Sequence, residues 1–187
     1  MTLDSPKEIY IDNAATTSMS KEVLDEMIPY FSENYGNPSS LYSIAQVARD
    51  AVDESRENVA KILNCKPSEI IFTSGGTESD NMAIIGVAKA LIDTGNHLIT
   101  TKIEHHAVIH AMEELESTGF EVSYLNVDKD GFINLEELES KINSNTSLVS
   151  IMLANNETGS IQNLSKISEI VRNKSKSFQK EIYIHTD

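Results

Sequence analysis

Residues 97–125 have the sequence HLITTKIEHHAVIHAMEELESTGFEVSYL, and this stretch decides the fold. His97–Thr101 is a short β-rich run, His106–Ser117 has apolar side chains at helical spacing, and Glu121–Leu125 is again β-rich. A strand, a helix and a strand in this order predict a right-handed crossover between two parallel strands. The stretch therefore indicates an α/β fold.

The same alternation extends to both sides of this stretch. Further β-rich runs occupy residues 70–73, 147–152 and 182–185, and further helical patterns occupy residues 79–93, 135–143 and 164–174. Residues 148–152 are nearly all apolar, which is typical of a strand that is buried on both faces. The pattern predicts one α/β domain without an internal linker, built on a mainly parallel sheet flanked by helices.

Charge and hydropathy exclude several classes of partner. The 187 residues include 29 Asp and Glu against 15 Lys and Arg, which gives a formal net charge of -14. Such a charge opposes extended contact with nucleic acid or with anionic lipid. The sequence has neither a basic start followed by an apolar run nor an apolar stretch of roughly 18 residues. We therefore expect a cytoplasmic protein that binds no nucleic acid and no membrane.

Cys65 is the only cysteine of the chain. A single thiol excludes an intramolecular disulfide and a thiolate cluster for zinc or iron–sulfur. Its neighbours are typical of a helix end, where an inert thiol is more common than a nucleophile.

A glycine-containing loop, residues 73–81, has the sequence TSGGTESDN between a strand pattern and a helix pattern. Unpaired backbone N–H groups at a helix start, together with small hydroxyls, can surround a phosphate, and glycine allows close approach. The loop matches neither the Walker motif nor the dinucleotide fingerprint. An ordinary turn with a helix cap is the alternative interpretation.

Three other polar segments also follow strand patterns. They contain the adjacent His105 and His106, the pair Asn155 and Asn156, and the terminal Asp187. Taken singly, each is also compatible with a loop residue, a turn or a cap. In parallel sheets, however, ligands bind at the carboxyl ends of strands, and all four segments are predicted there. No ligand cluster with zinc spacing is visible, so we expect no metal site.

Residues 126–137, NVDKDGFINLEE, resemble an EF-hand calcium loop, with oxygen ligands at positions 1, 3, 5, 9 and 12 and glycine at position 6. Position 1 is Asn, no second loop is present, and a strand pattern precedes the loop where a helix is required. The alternative is a strand, an Asp-Gly turn and a capped helix. A calcium-binding or purely structural module therefore stays open as a rival function.

Six segments occur in the order and spacing of cysteine desulfurases, and this resemblance covers essentially the whole chain. The segments are residues 9–17, 36–40, 72–81, 104–108, 150–159 and 185–187. The resemblance implies the large cofactor domain of the aminotransferase-like fold of pyridoxal-phosphate enzymes, truncated to its N-terminal part. It divides the chain into a substrate-lining segment, residues 1–15, and an incomplete cofactor-binding domain, residues 16–187.

The resemblance also implies residue roles. Gly76 and Thr77 would hold the phosphate of pyridoxal 5'-phosphate, and His105 would stack on its ring and assist proton transfer as the catalytic histidine. Asn156 would contact the ring hydroxyl region and the substrate, and Asp187 would lie against the pyridine nitrogen. Substrate-lining residues would be Asn13, Ala14 and Ala15.

The same resemblance implies that the enzyme converts L-cysteine to L-alanine. It would pass persulfide sulfur to an acceptor or scaffold protein for iron–sulfur cluster assembly or tRNA thiolation. At full length, the enzyme would be a homodimer. Tyr42 and Ala45 depart from the His and Gly that the family often has. In the family, the Schiff-base lysine and the persulfide-forming cysteine lie beyond the position of Asp187, so we expect this chain alone to be inactive. A related selenocysteine lyase or aminotransferase is the rival enzyme.

Overall fold

A computed structural model describes residues 9–187 and divides the chain into two compact units, one ending at Phe72 and one spanning Thr73–Asp187. The sequence pattern gave no signal for a division at this point, since it indicated one domain without a linker. The boundary predicted after Ala15 stays a prediction, and part of the segment 1–15 lies outside the described residues.

The first unit is helical. Its helices are α1 (Lys21–Met27), α2 (Pro29–Ser32) and α3 (Ser43–Leu63), followed by a short 3-10 helix at Pro67–Glu69. Helix α3 ends at Asn64, which has a left-handed φ of 53°, and the N–H of Cys65 donates to the Ala60 carbonyl (3.0 Å). Cys65 thus follows a helix end, as predicted. Within residues 9–187, none of the helices combines the length and the apolar character that a bilayer crossing requires.

The strand predicted at residues 70–73 is wrong. Ile70 has an extended backbone (φ -91°, ψ 128°), but no other strand of residues 9–187 pairs with this run. The Arg56 guanidinium donates to the Ile70 carbonyl and lies 4.9 Å from the ring centroid of Phe72. A β-rich run becomes a strand only where a neighbouring strand forms hydrogen bonds with its N–H and C=O groups. The sequence of the run does not show whether such a neighbouring strand is present.

The second unit is the α/β part of the chain. Its elements in order are α4 (Gly76–Ala90), β1 (His97–Thr101), α5 (His106–Ser117), β2 (Glu121–Leu125), α6 (Leu135–Lys141), β3 (Thr146–Ser150), α7 (Leu164–Phe178) and β4 (Tyr183–His185). All strand pairs are parallel, in the order β2-β1-β3-β4. The predicted parallel sheet flanked by helices is confirmed, with α4 beginning at Gly76 rather than at residue 79.

Two apolar cores cover the two faces of the sheet. Alternate residues of a strand face opposite sides, so Leu98 and Leu148 pack with α4 and α5, whereas Ile99 and Val149 pack with α6 and α7. Every residue of β1 and β3 is buried. The two central strands are therefore held from both faces, and their carboxyl ends are fixed platforms for the loops that follow.

The loop that resembles an EF-hand is a turn and a helix cap. One oxygen of Asp128, Oδ1, accepts from the N–H groups of Asp130 (2.9 Å) and Phe132 (3.0 Å), and Gly131 has a φ of +85°. Asn134 caps α6. The strand, Asp-Gly turn and capped helix are confirmed, and among residues 9–187 no group of three or more His, Cys, Asp or Glu side chains could hold a metal ion.

Candidate active site

The first turn of α4 has an open backbone. Gly75 precedes the helix in an extended conformation, and Gly76 and Thr77 are its first residues. First-turn N–H groups have no carbonyl partner inside their own helix and carry partial positive charge. A Cβ built on Gly75 or Gly76 would meet no atom within 4 Å, so a ligand has room to approach the backbone.

Side-chain bonds hold this loop in shape. Ser74 donates its N–H (2.6 Å) and its hydroxyl (2.7 Å) to Oε2 of Glu78. These two bonds lower the pKa of Glu78. The hydroxyls of Thr73 and Ser79 lie 2.6 Å apart across the turn. Side chains on both sides of Gly75 and Gly76 are therefore bonded to one another within the loop.

His105 is the N-cap of α5, beyond the carboxyl end of β1. Its Nδ1 accepts from the N–H of Ala107 (3.1 Å), so the proton of the neutral ring lies on Nε2. The imidazole is exposed. His106 points elsewhere and stacks on His110, with ring centroids 5.3 Å apart. The Nε2–H of His105 therefore stays available as a donor at this end of the sheet.

Glu104 is a buried acid for which the sequence analysis proposed no role. Its carboxylate accepts from the Thr101 hydroxyl (2.8 Å) and from the backbone N–H of Met152 (3.0 and 3.2 Å). Burial raises the pKa of Glu104 to about 7, although both bonds act in the opposite direction. The Glu104 side chain thus connects the end of β1 to the segment after β3. The only sequence feature that could have indicated its role is its position directly before the candidate histidine.

The two neighbouring asparagines have different roles. Asn155 is buried: its Oδ1 accepts from the N–H groups of Glu157 (3.0 Å) and Thr158 (2.8 Å), and its Nδ2 donates to the Ile103 carbonyl (2.9 Å). Asn156 is exposed in the same turn. The turn interpretation is therefore correct for Asn155, which leaves Asn156 as the amide that a ligand can reach.

Titratable side chains lie close together at the end of β4. Ser150 Oγ lies 2.8 Å from His185 Nδ1, and His185 Nε2 lies 3.4 Å from Oδ1 of the buried Asp80. Burial raises the pKa of Asp80, and the negative charge of Asp187 adds to this rise. Burial lowers the pKa of His185, while Asp80 and Asp187 oppose that fall. Asp187 itself is exposed, and Asp80 is a second residue that the sequence analysis missed.

The structure places three of the four predicted polar segments directly beyond strands of the sheet: His105 after β1, Asn156 after β3 and Asp187 after β4. The fourth, with Gly76 and Thr77, follows an unpaired segment, because the strand predicted before it is absent. The start of α4 nevertheless lies near the same end of the sheet, since Asp80 on this helix lies against His185. We name this region of the second unit the carboxyl end of the sheet.

The predicted substrate-lining residues Asn13, Ala14 and Ala15 lie in an exposed turn of the first unit. The N–H of Ala15 lies 3.3 Å from Oδ1 of Asp12 and 3.2 Å from its carbonyl oxygen. Their contact with a substrate stays a prediction.

Comparisons with known proteins agree with one another. The aminotransferase class-V family profile matches residues 9–179. Cysteine desulfurase IscS of Clostridium botulinum strain Hall is 50% identical over 97% of the chain, and that of Methanosarcina thermophila is 50% identical over 97%. The chain spans 44% and 43% of the lengths of these two relatives.

Solved structures are similar as well. A NifS-like protein superposes with a TM-score of 0.92 at 44% identity, covering 97% of this chain and 48% of that one. A structure titled SspA in complex with cysteine superposes with a TM-score of 0.88 at 39% identity, covering 95% of this chain and 50% of that one.

Proposed function

Because the chain belongs to the aminotransferase class-V family, we propose that it is the N-terminal, cofactor-binding part of a pyridoxal-phosphate-dependent cysteine desulfurase. The observation that carries the proposal is the position of the start of α4, His105 and Asp187 around one end of one sheet. The chain spans 44% of the length of a relative, so the proposed activity is that of a protein of the relatives' full length.

The residues at the carboxyl end of the sheet fit pyridoxal phosphate. The open first turn of α4 suits a phosphate group, as the lack of any atom near the Cβ positions of Gly75 and Gly76 indicates. Asp187 is an exposed carboxylate close enough to Asp80 and Glu104 to raise the pKa of both. A cationic ring nitrogen placed among these acids would relieve their mutual repulsion.

Each residue has a defined chemical task in this proposal. Bound pyridoxal phosphate would supply the electron sink for cleavage at the substrate. Gly76 and Thr77 bind the phosphate, and the negative charge of Asp187 holds a proton on the ring nitrogen. The neutral His105 ring carries its proton on Nε2, so this atom would donate a hydrogen bond or a proton to the ligand. Asn156 donates its amide to the ring hydroxyl region.

The substrate of the proposed enzyme is L-cysteine, and its products are L-alanine and protein-bound sulfur. Support comes from the names of the relatives and from the similar structure that was solved with cysteine. We include in the proposal a sulfur acceptor or scaffold protein for iron–sulfur assembly or tRNA thiolation, a homodimer and a cytoplasmic location.

The test is product formation by the chain joined to its native downstream sequence. We expect cysteine-dependent release of sulfide and alanine in equal amounts when pyridoxal phosphate and a thiol reductant are present. The chain of residues 1–187 alone should release neither product. A joined protein that binds the cofactor but acts only on selenocysteine, or only transfers an amino group, would replace this proposal with one of the two rival enzymes.

A further inference from the structure

Asp80 is buried without an evident structural reason. It lies one helical turn after Gly76 on α4 and is only 5% exposed. A buried carboxylate is destabilising unless it is paired, and removal of both partners of such a pair is often neutral for stability. The fold therefore keeps a buried carboxyl group at a position where it requires a partner.

The partner of Asp80 connects three elements. His185 Nε2 lies 3.4 Å from Asp80 Oδ1, and His185 Nδ1 lies 2.8 Å from Ser150 Oγ. Ser150 and His185 are register partners of β3 and β4. The contacts of His185 with Asp80 and with Ser150 thus join α4 to β3 and β4.

Asp187 lies two residues beyond His185. The N–H of Leu153 donates to the Asp187 carbonyl (3.2 Å), which continues the pairing with the β3 side past the last residue of β4. Residues i and i+2 of an extended segment face the same side, so Asp187 shares the face on which His185 meets Asp80. The position of Asp187 relative to α4 is therefore set through His185.

Three side chains from different segments act on the charge of Asp80. His105 on α5 and His185 on β4 favour its charged form, whereas Asp187 and burial oppose it. The pKa of Asp80 therefore depends on all three of these side chains.

We propose that Asp80 is a positioning residue which, through His185, fixes the distance between the first turn of α4 and Asp187. A ligand that carries a phosphate and a ring nitrogen has a fixed separation between these groups. Both ends bind together only if the protein holds the matching separation. The chemical class of this ligand rests on the proposed function, whereas the tie between Asp80 and His185 does not.

The test uses the chain of residues 1–187 with Asp80→Asn, which keeps the shape of the side chain and removes its charge. Asp93→Asn is the matched control, since Asp93 is exposed beyond the end of α4. Two quantities are measured: the pKa of the His185 imidazole by NMR, and the affinity for pyridoxamine 5'-phosphate by calorimetry. Pyridoxamine phosphate keeps the phosphate and the ring nitrogen but has no aldehyde to label surface lysines.

We expect the pKa of His185 to fall in Asp80→Asn, because the negative charge that raises it is lost. The affinity for pyridoxamine phosphate should weaken roughly tenfold, which is the low end of the effect of losing an orienting partner at metal sites. His97, in the same spectra, reports whether the sheet is intact. If Asp80→Asn does not fold, His185→Gln should show the same loss of affinity. Asp93→Asn should match the wild type.

An unchanged pKa of His185, or an unchanged affinity in a folded Asp80→Asn chain, would overturn the positioning role. A wild-type chain that binds no pyridoxamine phosphate would instead contradict the proposed function, while the pKa of His185 would still decide whether Asp80 acts on it.

Discussion

The two ends of the sheet each contain a histidine, buried at His97 and half-buried at His185, and the two have different surroundings. His97 begins β1, and its ring contacts the neutral side chains of Thr146 (2.7 Å), Ser123 (3.0 Å) and Asn143 (3.3 Å). His185 ends β4 between Ser150 and the carboxylate of Asp80. We name the region around His97 the amino end of the sheet.

Burial lowers the pKa of both histidines, yet the remaining causes differ. Lys141 and Lys180 lower the pKa of His97 further, opposed by Glu121, whereas two nearby carboxylates oppose the fall at His185. A network of neutral hydroxyls and amides fixes strands in place. Carboxylates gathered beside exposed polar groups create a field that a cationic ligand can use. This contrast supports the proposal that the carboxyl end is the chemical site, whereas the neutral hydrogen-bond partners of His97 favour a structural role for the amino end.

The largest expected effect is a loss of enzyme activity on substitution of a residue at the carboxyl end of the sheet. In the chain joined to its native downstream sequence, His105→Ala should lower turnover by roughly a hundredfold or more, the scale for a positioned acid–base group. His106→Ala is the control on the same turn and should stay close to wild type. Sulfide release in steady state measures both, and near-normal turnover without His105 would refute its role.

At the amino end, His97→Ala should act on stability instead. It leaves three polar groups without their partner and opens a cavity, so the free energy of unfolding should fall by about 3 kcal/mol. The exposed His110→Ala is the control and should change it by less than about 0.5 kcal/mol. Urea unfolding of the chain followed by circular dichroism gives both values. A small loss for His97→Ala would mean that the network is dispensable.

The raised pKa of Glu104 predicts that the stability of the folded chain depends on pH. Because its pKa is raised to about 7 in the folded chain, the folded state binds the proton more tightly than the unfolded state does. Its contribution to stability is present below the ordinary value of 4.5 and is lost as pH rises through about 7, by about 2–3 kcal/mol.

Unfolding measured from pH 5 to pH 8 should therefore show this loss in the wild type and a flatter profile in Glu104→Gln. His97 has the opposite sign: its lowered pKa makes its contribution present above pH 6.5 and lost as pH falls below that value. Identical profiles for wild type and Glu104→Gln would show that Glu104 is charged throughout this range.

The smallest expected effect concerns the loop at residues 126–137. Its Asp128 and Asn134 oxygens bind their own backbone, so calcium should bind more weakly than roughly 10 micromolar, outside the sensor range. Calorimetry with calcium chloride measures this directly. Tighter binding would restore a calcium-binding function as a rival.

Local patterns sufficed to predict the sheet and part of the site. The bounds of β1, α5 and β2 follow from apolar spacing and from flanking turn residues, and a parallel sheet then places His105, Asn156 and Asp187 beyond strand ends. Asp80 could not be found in this way, because its burial depends on how α4 packs against the sheet and on the contact with His185. Glu104 is bonded to Met152, which is distant in sequence, and residues 70–73 lacked a partner strand.

The central claim is that the carboxyl end of the sheet, and not the amino end, binds the cofactor. The most direct measurement is a titration of the isotopically labelled chain with pyridoxamine 5'-phosphate, followed through backbone amide shifts. The account predicts changes at Gly76, Thr77, His105, Asn156 and Asp187, with His97 and its partners unaffected. Shifts centred on His97, or no saturable shifts at the carboxyl end, would contradict it.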